Sequence, residues 1–135
     1  MAKKIVVVDD EADVKKALSL RLNRLGYNVT SVGTGKEAVQ TFLDYYYSQP
    51  FDVILLDIGL PDISGTEVLK TIRQEEEIRG LNYDDGVKII MQTGHKESWM
   101  EAFNGGCDDY MVKPYSFEEL LEKINQKVRD KKDEN

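Results

Sequence analysis

Three short apolar runs in the sequence each end in side chains that carry oxygen atoms. Residues 53–56 are followed by Asp57, residues 5–8 by Asp9 and Asp10, and residues 88–91, which are apolar after Lys88, by Gln92 and Thr93. In open parallel α/β sheets, ligands bind beyond the carboxyl ends of the strands, at the point where the strand order reverses. The sequence therefore predicts a polar site that is assembled from strand ends, with Asp57 at its centre.

Strand-like runs alternate with helical patterns along the whole chain. The predicted strands span residues 4–8, 28–32, 52–56, 87–91 and 109–112. Continuous apolar runs, rather than alternation, indicate strands that are buried on both faces of a parallel sheet. We therefore predict an α/β fold, a flavodoxin-like (βα)5 doubly wound sandwich, and we adopt its strand order 2-1-3-4-5 by analogy. In this order the first and third strands are neighbours, so Asp9, Asp10 and Asp57 meet.

Four helix starts share one pattern, in which serine or threonine is followed three residues later by glutamate. The pairs are Thr34/Glu37, Ser64/Glu67, Ser98/Glu101 and Ser116/Glu119. The hydroxyl in such a pair accepts a backbone N–H that has no partner inside the helix.

We also predict a first helix over residues 12–25, an extended loop over residues 75–86, and a charged tail over residues 130–135 that frays.

Length and composition limit the chain to one domain, which we place at residues 1–129 of the 135, with 41% hydrophobic and 32% charged residues. No apolar run approaches the roughly 20 residues that span a bilayer, and no signal peptide is recognisable, so we expect a cytoplasmic protein without membrane contact. The net charge of −7 argues against direct binding of nucleic acid. The single cysteine, Cys107, excludes an intrachain disulfide and a zinc site made of cysteines.

Three carboxylates that meet in one pocket need a compensating cation. At 4 Å each pair repels by about 4 kcal/mol for an effective dielectric constant of about 20. Mg²⁺ suits such a site because it prefers hard oxygen ligands and bridges carboxylates and phosphate. Asp57 can then act as a nucleophile that forms an acyl phosphate, and Lys113, just past the last predicted strand, is the candidate side-chain cation.

Each of these residues has a simpler interpretation when it is taken alone. An aspartate at a strand end is often a turn or cap residue, and a lysine after a strand is usually a solvated surface charge. Thr93 by itself is typical of a strand end. The joint occurrence of five such residues at strand ends on one edge of the predicted sheet favours a shared site.

Four segments together resemble the receiver domain of two-component response regulators, and the resemblance covers essentially the whole chain. The segments are Val8-Asp9-Asp10-Glu11, Leu56-Asp57-Ile58-Gly59-Leu60-Pro61 with Gly65 after it, Met91-Gln92-Thr93-Gly94, and Asp108-Asp109-Tyr110-Met111-Val112-Lys113-Pro114. The resemblance implies that Asp57 accepts phosphate from a sensor histidine kinase or a histidine phosphotransfer protein. It implies a signalling switch that assists its own phosphorylation and dephosphorylation, rather than an enzyme with a separate substrate.

The resemblance also assigns a role to each residue of the predicted site. Asp10, Asp57 and the carbonyl group of Gly59 bind Mg²⁺, and Asp9 acts through a coordinated water molecule. Thr93 donates a hydrogen bond to the phosphoryl group and Lys113 pairs with it. The family pattern further implies a cis peptide bond between Lys113 and Pro114.

Signal output is expected on the face formed by the fourth helix, the fifth strand and the fifth helix. Tyr110 is the implied aromatic switch, and Trp99, Met100 and Phe103 concentrate on the same face, where an unknown downstream protein binds. Trp99 is equally well interpreted as a core residue. The protein is expected to be a monomer or a dimer that forms on phosphorylation.

Two residues next to the predicted site depart from the family's usual choices. Gly59 and His95 stand at positions that tune how long the phosphate survives, and His95 is the only histidine. Gly59 has no side chain to shield or orient water. An ordinary loop role for His95 is the alternative. Gly94 is expected to loosen the loop that follows the fourth strand.

Two other function classes compete with the switch. A phosphatase with an aspartate nucleophile also forms an aspartyl phosphate on an α/β sheet, but it needs a general acid two residues after the nucleophile, where this chain has Gly59. A module that only binds proteins predicts no labelling of Asp57. All five key residues are present, which disfavours the second alternative.

Overall fold

The computed structural model describes residues 2–81, 85–94 and 99–133, and five strands alternate with five helices within them. The elements are β1 (Lys4–Val8), α1 (Ala12–Arg24), β2 (Asn28–Val32), α2 (Gly35–Tyr45), β3 (Val53–Asp57), α3 (Gly65–Ile78), β4 (Lys88–Thr93), α4 (Trp99–Asn104), β5 (Asp109–Val112) and α5 (Phe117–Asp133). The predicted α/β alternation is confirmed.

All strand pairs are parallel, and the sheet has the order β2-β1-β3-β4-β5. This confirms the predicted flavodoxin-like order. Val8 of β1 pairs with Leu56 of β3, and Asp57 pairs with Gln92 of β4. The carboxyl ends of β1, β3 and β4 therefore meet at one edge of the sheet, and the residues that follow β1 and β3 are brought together there.

The core consists of two layers, one on each face of the sheet. Successive side chains of a strand point to opposite faces, so Val6, Ile54 and Ile89 pack in one layer with α2 and α3. Ile5 and Leu55 pack in the other layer with buried residues of α1 and α5. Helices on both faces explain why β3 and β4 are buried along their entire lengths.

Three of the four predicted helix starts have the expected hydrogen bond. The hydroxyl groups of Thr34, Ser64 and Ser116 accept backbone N–H groups three residues later at 3.1, 3.3 and 3.1 Å. The fourth pair begins at Ser98, which lies outside the described residues. Local capping chemistry was therefore readable from the sequence wherever it can be compared with the structure.

The predicted loop over residues 75–86 is wrong at its beginning, because α3 continues to Ile78. The charged side chain of Glu76 is buried, and its carboxylate accepts Nη1–H of Arg73 at 2.7 Å and the N–H of Val87 at 2.7 Å. The prediction placed Glu76 in a surface loop, whereas it lies on α3 and its carboxylate is buried. Residues 82–84 of the predicted loop lie outside the described part of the chain.

The ends of the first and last helices differ slightly from the prediction. Helix α1 ends at Arg24, one residue before the predicted end, and Leu25 is exposed. Helix α5 continues to Asp133, so residues 130–133 of the predicted tail extend the helix. None of the helices in the described ranges is long and apolar enough to cross a bilayer.

Candidate functional site

Asp57 lies at the carboxyl end of β3, and both oxygen atoms of its buried carboxylate have a partner. Oδ1 accepts the N–H of Gly59 at 3.1 Å, and Oδ2 accepts Nζ–H of Lys113 at 3.0 Å. The N-terminus of α3 packs closely against the end of β3. A Cβ atom on Gly65 would lie only 2.2 Å from the carbonyl oxygen of Asp57. The absence of a side chain at residue 65 allows this close contact.

Asp9 and Asp10 complete an acidic cluster with Asp57. Each of the three offers a carboxylate oxygen, and these oxygens all lie within 4.8 Å of one another. Asp9 is fully buried, whereas Asp10 is exposed. Oδ1 of Asp9 accepts the N–H of Glu11 at 2.9 Å. The structure thus brings together the three carboxylates that the sequence placed at the ends of two neighbouring strands.

Lys113 supplies a positive charge to this cluster from the end of β5. Its Nζ atom lies 3.0 Å from Oδ2 of Asp57 and 3.5 Å from Oδ2 of Asp9. Its backbone N–H donates to the carbonyl oxygen of Thr93 at 2.7 Å, and the bond to Pro114 is cis, as the resemblance implied. Burial lowers the pKa of Lys113, but the hydrogen bond and charge of Asp57 and the charge of Asp9 outweigh it, so the pKa is raised.

Thr93 and Tyr110 lie on the neighbouring strands β4 and β5. Thr93 is buried at the end of β4 and pairs with Val112, and Tyr110 pairs with Met91. The Tyr110 ring is half-buried, and its centroid lies 6.2 Å from that of Phe103 on α4. Thr93 therefore lies at the site, and Tyr110 lies beside α4. Their roles in switching stay predictions.

The other residues predicted near the site are described to different extents. A Cβ atom on Gly59 would meet only Oδ1 of Asp57, at 4.0 Å, so space for a side chain exists there. His95 lies outside the described residues, and the side chain of Trp99 does too. Met100 and Phe103 are 52% and 42% exposed on α4. The predicted output surface therefore carries two large exposed apolar side chains.

Two polar residues that contact the site received no role from the sequence, although Gln92 was noted at its strand end. Gln92 is fully buried, and its Nε2–H donates to Oδ2 of Asp9 at 3.4 Å. The hydroxyl group of Tyr115 donates to Oε1 of Gln92. Burial raises the pKa of Tyr115 to about 12, with an opposing effect from Lys113. The available signal was a polar amide within an otherwise apolar run at the centre of the sheet.

A third missed residue, Asp62, connects the loop after Asp57 to helix α2. Its carboxylate accepts the N–H groups of Gly35 and Lys36 at 2.8 and 2.9 Å. Because hydrogen bonds from the backbone, with Lys36 first, outweigh the effect of burial, the pKa of Asp62 falls to about 2. The sequence predicted only a loop at this position, since the partner residues are distant along the chain.

This arrangement of strand-end carboxylates and a lysine agrees with the comparison with known families. A family model described as the response regulator receiver domain matches residues 5–125. The chain belongs to the response regulator receiver family. It therefore belongs to a family of signalling switches, and it carries that family's fold together with an acidic pocket.

Known receiver proteins resemble this chain over most of its length. The cell cycle transcriptional regulator CtrA of Caulobacter vibrioides is 32% identical over 129 residues, which are 96% of this chain and 52% of that protein. The chain thus spans about half the length of the curated relatives it matches. A CheY-like receiver domain protein from Methanospirillum hungatei is 32% identical, with a TM-score of 0.82 and 100% coverage of both chains.

A further solved structure concerns the acidic pocket. The response regulator TrrA of Thermotoga maritima, crystallised in complex with Mg²⁺-BeF, is 33% identical with a TM-score of 0.74. The match covers 93% of this chain and 98% of that one. In the present chain, three carboxylates and one ammonium group surround the pocket. This oxygen-rich donor set with an excess of negative charge is chemically suited to Mg²⁺.

Proposed function

We propose that this receiver domain transmits signals by reversible phosphorylation of Asp57. The phosphoryl donor is a sensor histidine kinase or a histidine phosphotransfer protein. The observation that carries the proposal is the position of the Asp57 carboxylate, which lies 3.0 Å from the ammonium group of Lys113 and within one cluster with Asp9 and Asp10. The nucleophilic carboxylate of Asp57, the positive charge of Lys113 and the carboxylates of Asp9 and Asp10 are thereby close together in one pocket.

Phosphoryl transfer to Asp57 breaks one bond and forms one. A carboxylate oxygen attacks the phosphorus atom of the donor phosphohistidine, and the P–N bond breaks as the O–P bond forms. The electron pair of the broken bond stays on the imidazole nitrogen, which is neutral or takes a proton from solvent. Positioned charges and hydrogen-bond donors are what such a reaction chiefly requires of a protein.

The chain's own residues supply those groups. Lys113, held as an ammonium by its carboxylate partners, pairs with the transferred phosphoryl group, and the hydroxyl of Thr93 donates to it. Asp10, Asp57 and the carbonyl group of Gly59 would hold Mg²⁺, and Asp9 would act through a coordinated water molecule. When bound, the ion offsets the negative charge of the phosphoryl oxygens.

The signal passes from Thr93 at the end of β4 to the face formed by α4, β5 and α5, where it is read out. Phosphorylation adds about 1.5 to 2 negative charges and new acceptor oxygens, toward which Thr93 moves and leaves space for the ring of Tyr110. A shift from 1:99 to 99:1 in favour of the active state requires about 5.5 kcal/mol, which a few charge-assisted hydrogen bonds supply. Met100 and Phe103 then contact a downstream protein, together with Trp99 of the same helix.

The receiver domain spans residues 1–129 in this proposal, and residues 130–135 are a charged tail. The protein acts in the cytoplasm, as a monomer or as a dimer that forms on phosphorylation. With a net charge of −7, its partners are proteins rather than nucleic acid. Gly59 and His95 tune the lifetime of the phosphate, and an unchanged half-life in His95→Ala would remove His95 from this role.

The intact mass of the protein after incubation with Mg²⁺ and acetyl phosphate tests the proposal. We expect one phosphoryl adduct on the wild type and none on Asp57→Asn. Asp52→Asn is a matched control, because Asp52 lies at the opposite end of the same strand, where its carboxylate accepts the N–H of Lys4 at 2.8 Å. Labelling of this control should equal that of the wild type. An unlabelled wild type contradicts the proposal.

A further inference from the structure

Gln92 places an uncharged polar group in the centre of the sheet, directly behind the acidic cluster. All six residues of β4 are buried, and Gln92 has no exposed surface. A buried amide is costly unless both of its ends form hydrogen bonds. Both ends do so here, one with Asp9 from β1 and the other with Tyr115, which follows β5.

The chemistry of the two partners fixes the direction of this chain of hydrogen bonds. The Asp9 carboxylate, which pairs with Lys113, offers only acceptor atoms, so the amide nitrogen of Gln92 must face it. The amide oxygen then faces Tyr115, whose hydroxyl group must donate. Tyr115 therefore holds the orientation of the Gln92 amide, and Gln92 in turn presents an N–H to Asp9.

Asp9 is thereby held from three directions. Glu11 donates its N–H to Oδ1, while the amide of Gln92 and the ammonium group of Lys113 both approach Oδ2, at 3.4 and 3.5 Å. Three donors from three different segments fix the plane of the carboxylate group. The N–H of Glu11 belongs to the local turn and holds Oδ1. The position of Oδ2 therefore depends on the side chains of Gln92 and Lys113.

We propose that Gln92 is a positioning residue that, held by Tyr115, orients the Asp9 carboxylate for binding of the divalent cation. This inference rests on the proposed function, because it concerns the same pocket. The hydrogen bonds of the Gln92 amide go to Asp9 and Tyr115, so Gln92 acts on cation binding through Asp9. Removing the side chain of Gln92 or the hydroxyl group of Tyr115 loosens the orientation of the Asp9 carboxylate, which Glu11 and Lys113 still contact, and weakens cation binding before any phosphoryl transfer takes place.

Calorimetric titration of the unphosphorylated protein with MgCl₂ measures this effect without any readout of activity. Groups that hold a metal ligand in place change metal affinity by about 10- to 100-fold when they are removed. Because the bond from Gln92 to Asp9 is long, at 3.4 Å, we expect an effect at or below the lower limit of that range, a Kd about 3- to 10-fold weaker in both Gln92→Leu and Tyr115→Phe. The double variant should be no weaker than Gln92→Leu alone, since the two residues act through one chain of hydrogen bonds.

Tyr27→Phe is the matched control. The hydroxyl group of Tyr27 also donates to a side-chain amide oxygen, that of Asn125, and burial also raises its pKa. This pair lies between β2 and α5 rather than at the cluster, so the variant should bind Mg²⁺ with wild-type affinity. A general loss of packing would affect the Tyr27 and Tyr115 variants alike.

The outcomes separate this inference from the proposed function. A wild-type Kd in both Tyr115→Phe and folded Gln92→Leu overturns the positioning role, even if Asp57 is labelled normally. Additive losses in the double variant also overturn it. If Gln92→Leu does not fold, the Kd of Tyr115→Phe for Mg²⁺ alone decides whether the positioning role holds. A wild type that binds Mg²⁺ but is not phosphorylated contradicts the proposed function and leaves the role of Gln92 in place.

Discussion

Lys113 forms an ion pair with Asp57 at 3.0 Å and approaches Asp9 at 3.5 Å, so one ammonium group is shared by two buried carboxylates. In Lys113→Met, the cluster keeps its negative charges and loses this cation. We expect Mg²⁺ to bind more tightly, because the ion no longer competes with the ammonium group. We expect labelling of Asp57 by acetyl phosphate to slow by about 10- to 100-fold, which corresponds to about 1.4 to 2.8 kcal/mol.

Titration calorimetry and the time course of the intact mass measure these two effects. Lys70→Met, which removes an exposed lysine of α3, is the matched control and should change neither quantity. Weaker Mg²⁺ binding in Lys113→Met would show that the lysine supports the ion rather than opposing it.

Asp62 caps helix α2 from the loop that follows the acceptor strand, and its pKa is lowered from 3.8 to about 2. A carboxyl group with a lowered pKa in the folded state stabilises the fold above the pKa of the unfolded state and loses this effect as the pH falls through the folded value. The urea midpoint of Asp62→Ala should therefore lie below that of the wild type near neutral pH. The difference should shrink as the pH falls from about 4 to about 2.

Urea unfolding at a series of pH values tests this expectation. Asp44→Ala is a suitable control, because the Asp44 carboxylate accepts only a side-chain hydrogen bond, from Gln40, at the other end of α2. A difference between wild type and Asp62→Ala that does not depend on pH would contradict the capping role.

Arg73 links its own helix, α3, to the segments that directly precede β4 and β5. Its guanidinium group contacts Glu76 at 2.7 Å, Asp108 at 2.9 Å and the carbonyl oxygens of Val87 and Gly106 at 2.8 and 2.9 Å. Arg73→Met leaves Glu76 buried without its cation. Breaking a buried pair in this way costs about 3 to 5 kcal/mol, which urea unfolding detects.

The double variant Arg73→Met/Glu76→Gln distinguishes lost charge from lost packing. The glutamine has no charge and can still accept the N–H of Val87, as Glu76 does at 2.7 Å. We expect the double variant to recover at least about 1 kcal/mol relative to Arg73→Met. No recovery would indicate that the packing of Arg73 matters more than its charge.

Cys107 is buried in the core at the turn before β5. Burial, reinforced by the charge of Asp108, raises the pKa of its thiol to about 12. Because the thiolate is the reactive form, the folded protein should react with a disulfide reagent far more slowly than free cysteine does at pH 8. Addition of urea should restore ordinary reactivity. Rapid reaction in the folded protein would contradict this burial.

The same substitution should have opposite consequences at two glycines of the acceptor loop. A Cβ atom on Gly65 would lie 2.2 Å from the carbonyl oxygen of Asp57, whereas one on Gly59 would have its nearest contact at 4.0 Å. Gly65→Ala should lose about 1 to 3 kcal/mol through forced backbone displacement. In Gly59→Ala, the free energy of unfolding should stay within about 0.5 kcal/mol of the wild-type value, as expected for open surface positions. Equal losses would mean that the loop adapts to both.

The sequence predicted the parts of the site that depend on strand order. Asp9, Asp10 and Asp57 follow apolar runs directly, and parallel strands of known order bring such residues to one edge. Lys113 was predicted as the cation from its position just past the last strand, and it lies 3.0 Å from Asp57, whereas its cis bond to Pro114 was implied by the family resemblance and is present. These features need only the positions of elements, not the orientations of individual side chains.

The residues that were missed depend on contacts between distant segments. Asp62 caps a helix that begins 27 residues earlier, and Gln92 bonds to Asp9, which is 83 residues away. Glu76 has a local partner in Arg73, three residues earlier, but its burial also depends on the N–H of Val87, which lies 11 residues further along the chain. Propensity and periodicity describe a residue's neighbours along the chain, so they contain no information on partners of this kind.

The loop between β3 and α3 is fastened at two points, by the close contact of Gly65 with Asp57 and by the hydrogen bonds of Asp62 to α2. The acceptor therefore has a stiff support on the α2 and α3 side. Under the proposed function, we expect the displacement caused by the added charge to occur on the opposite side of Asp57, at the ends of β4 and β5. The contacts of the unphosphorylated loop would then determine the direction of that displacement.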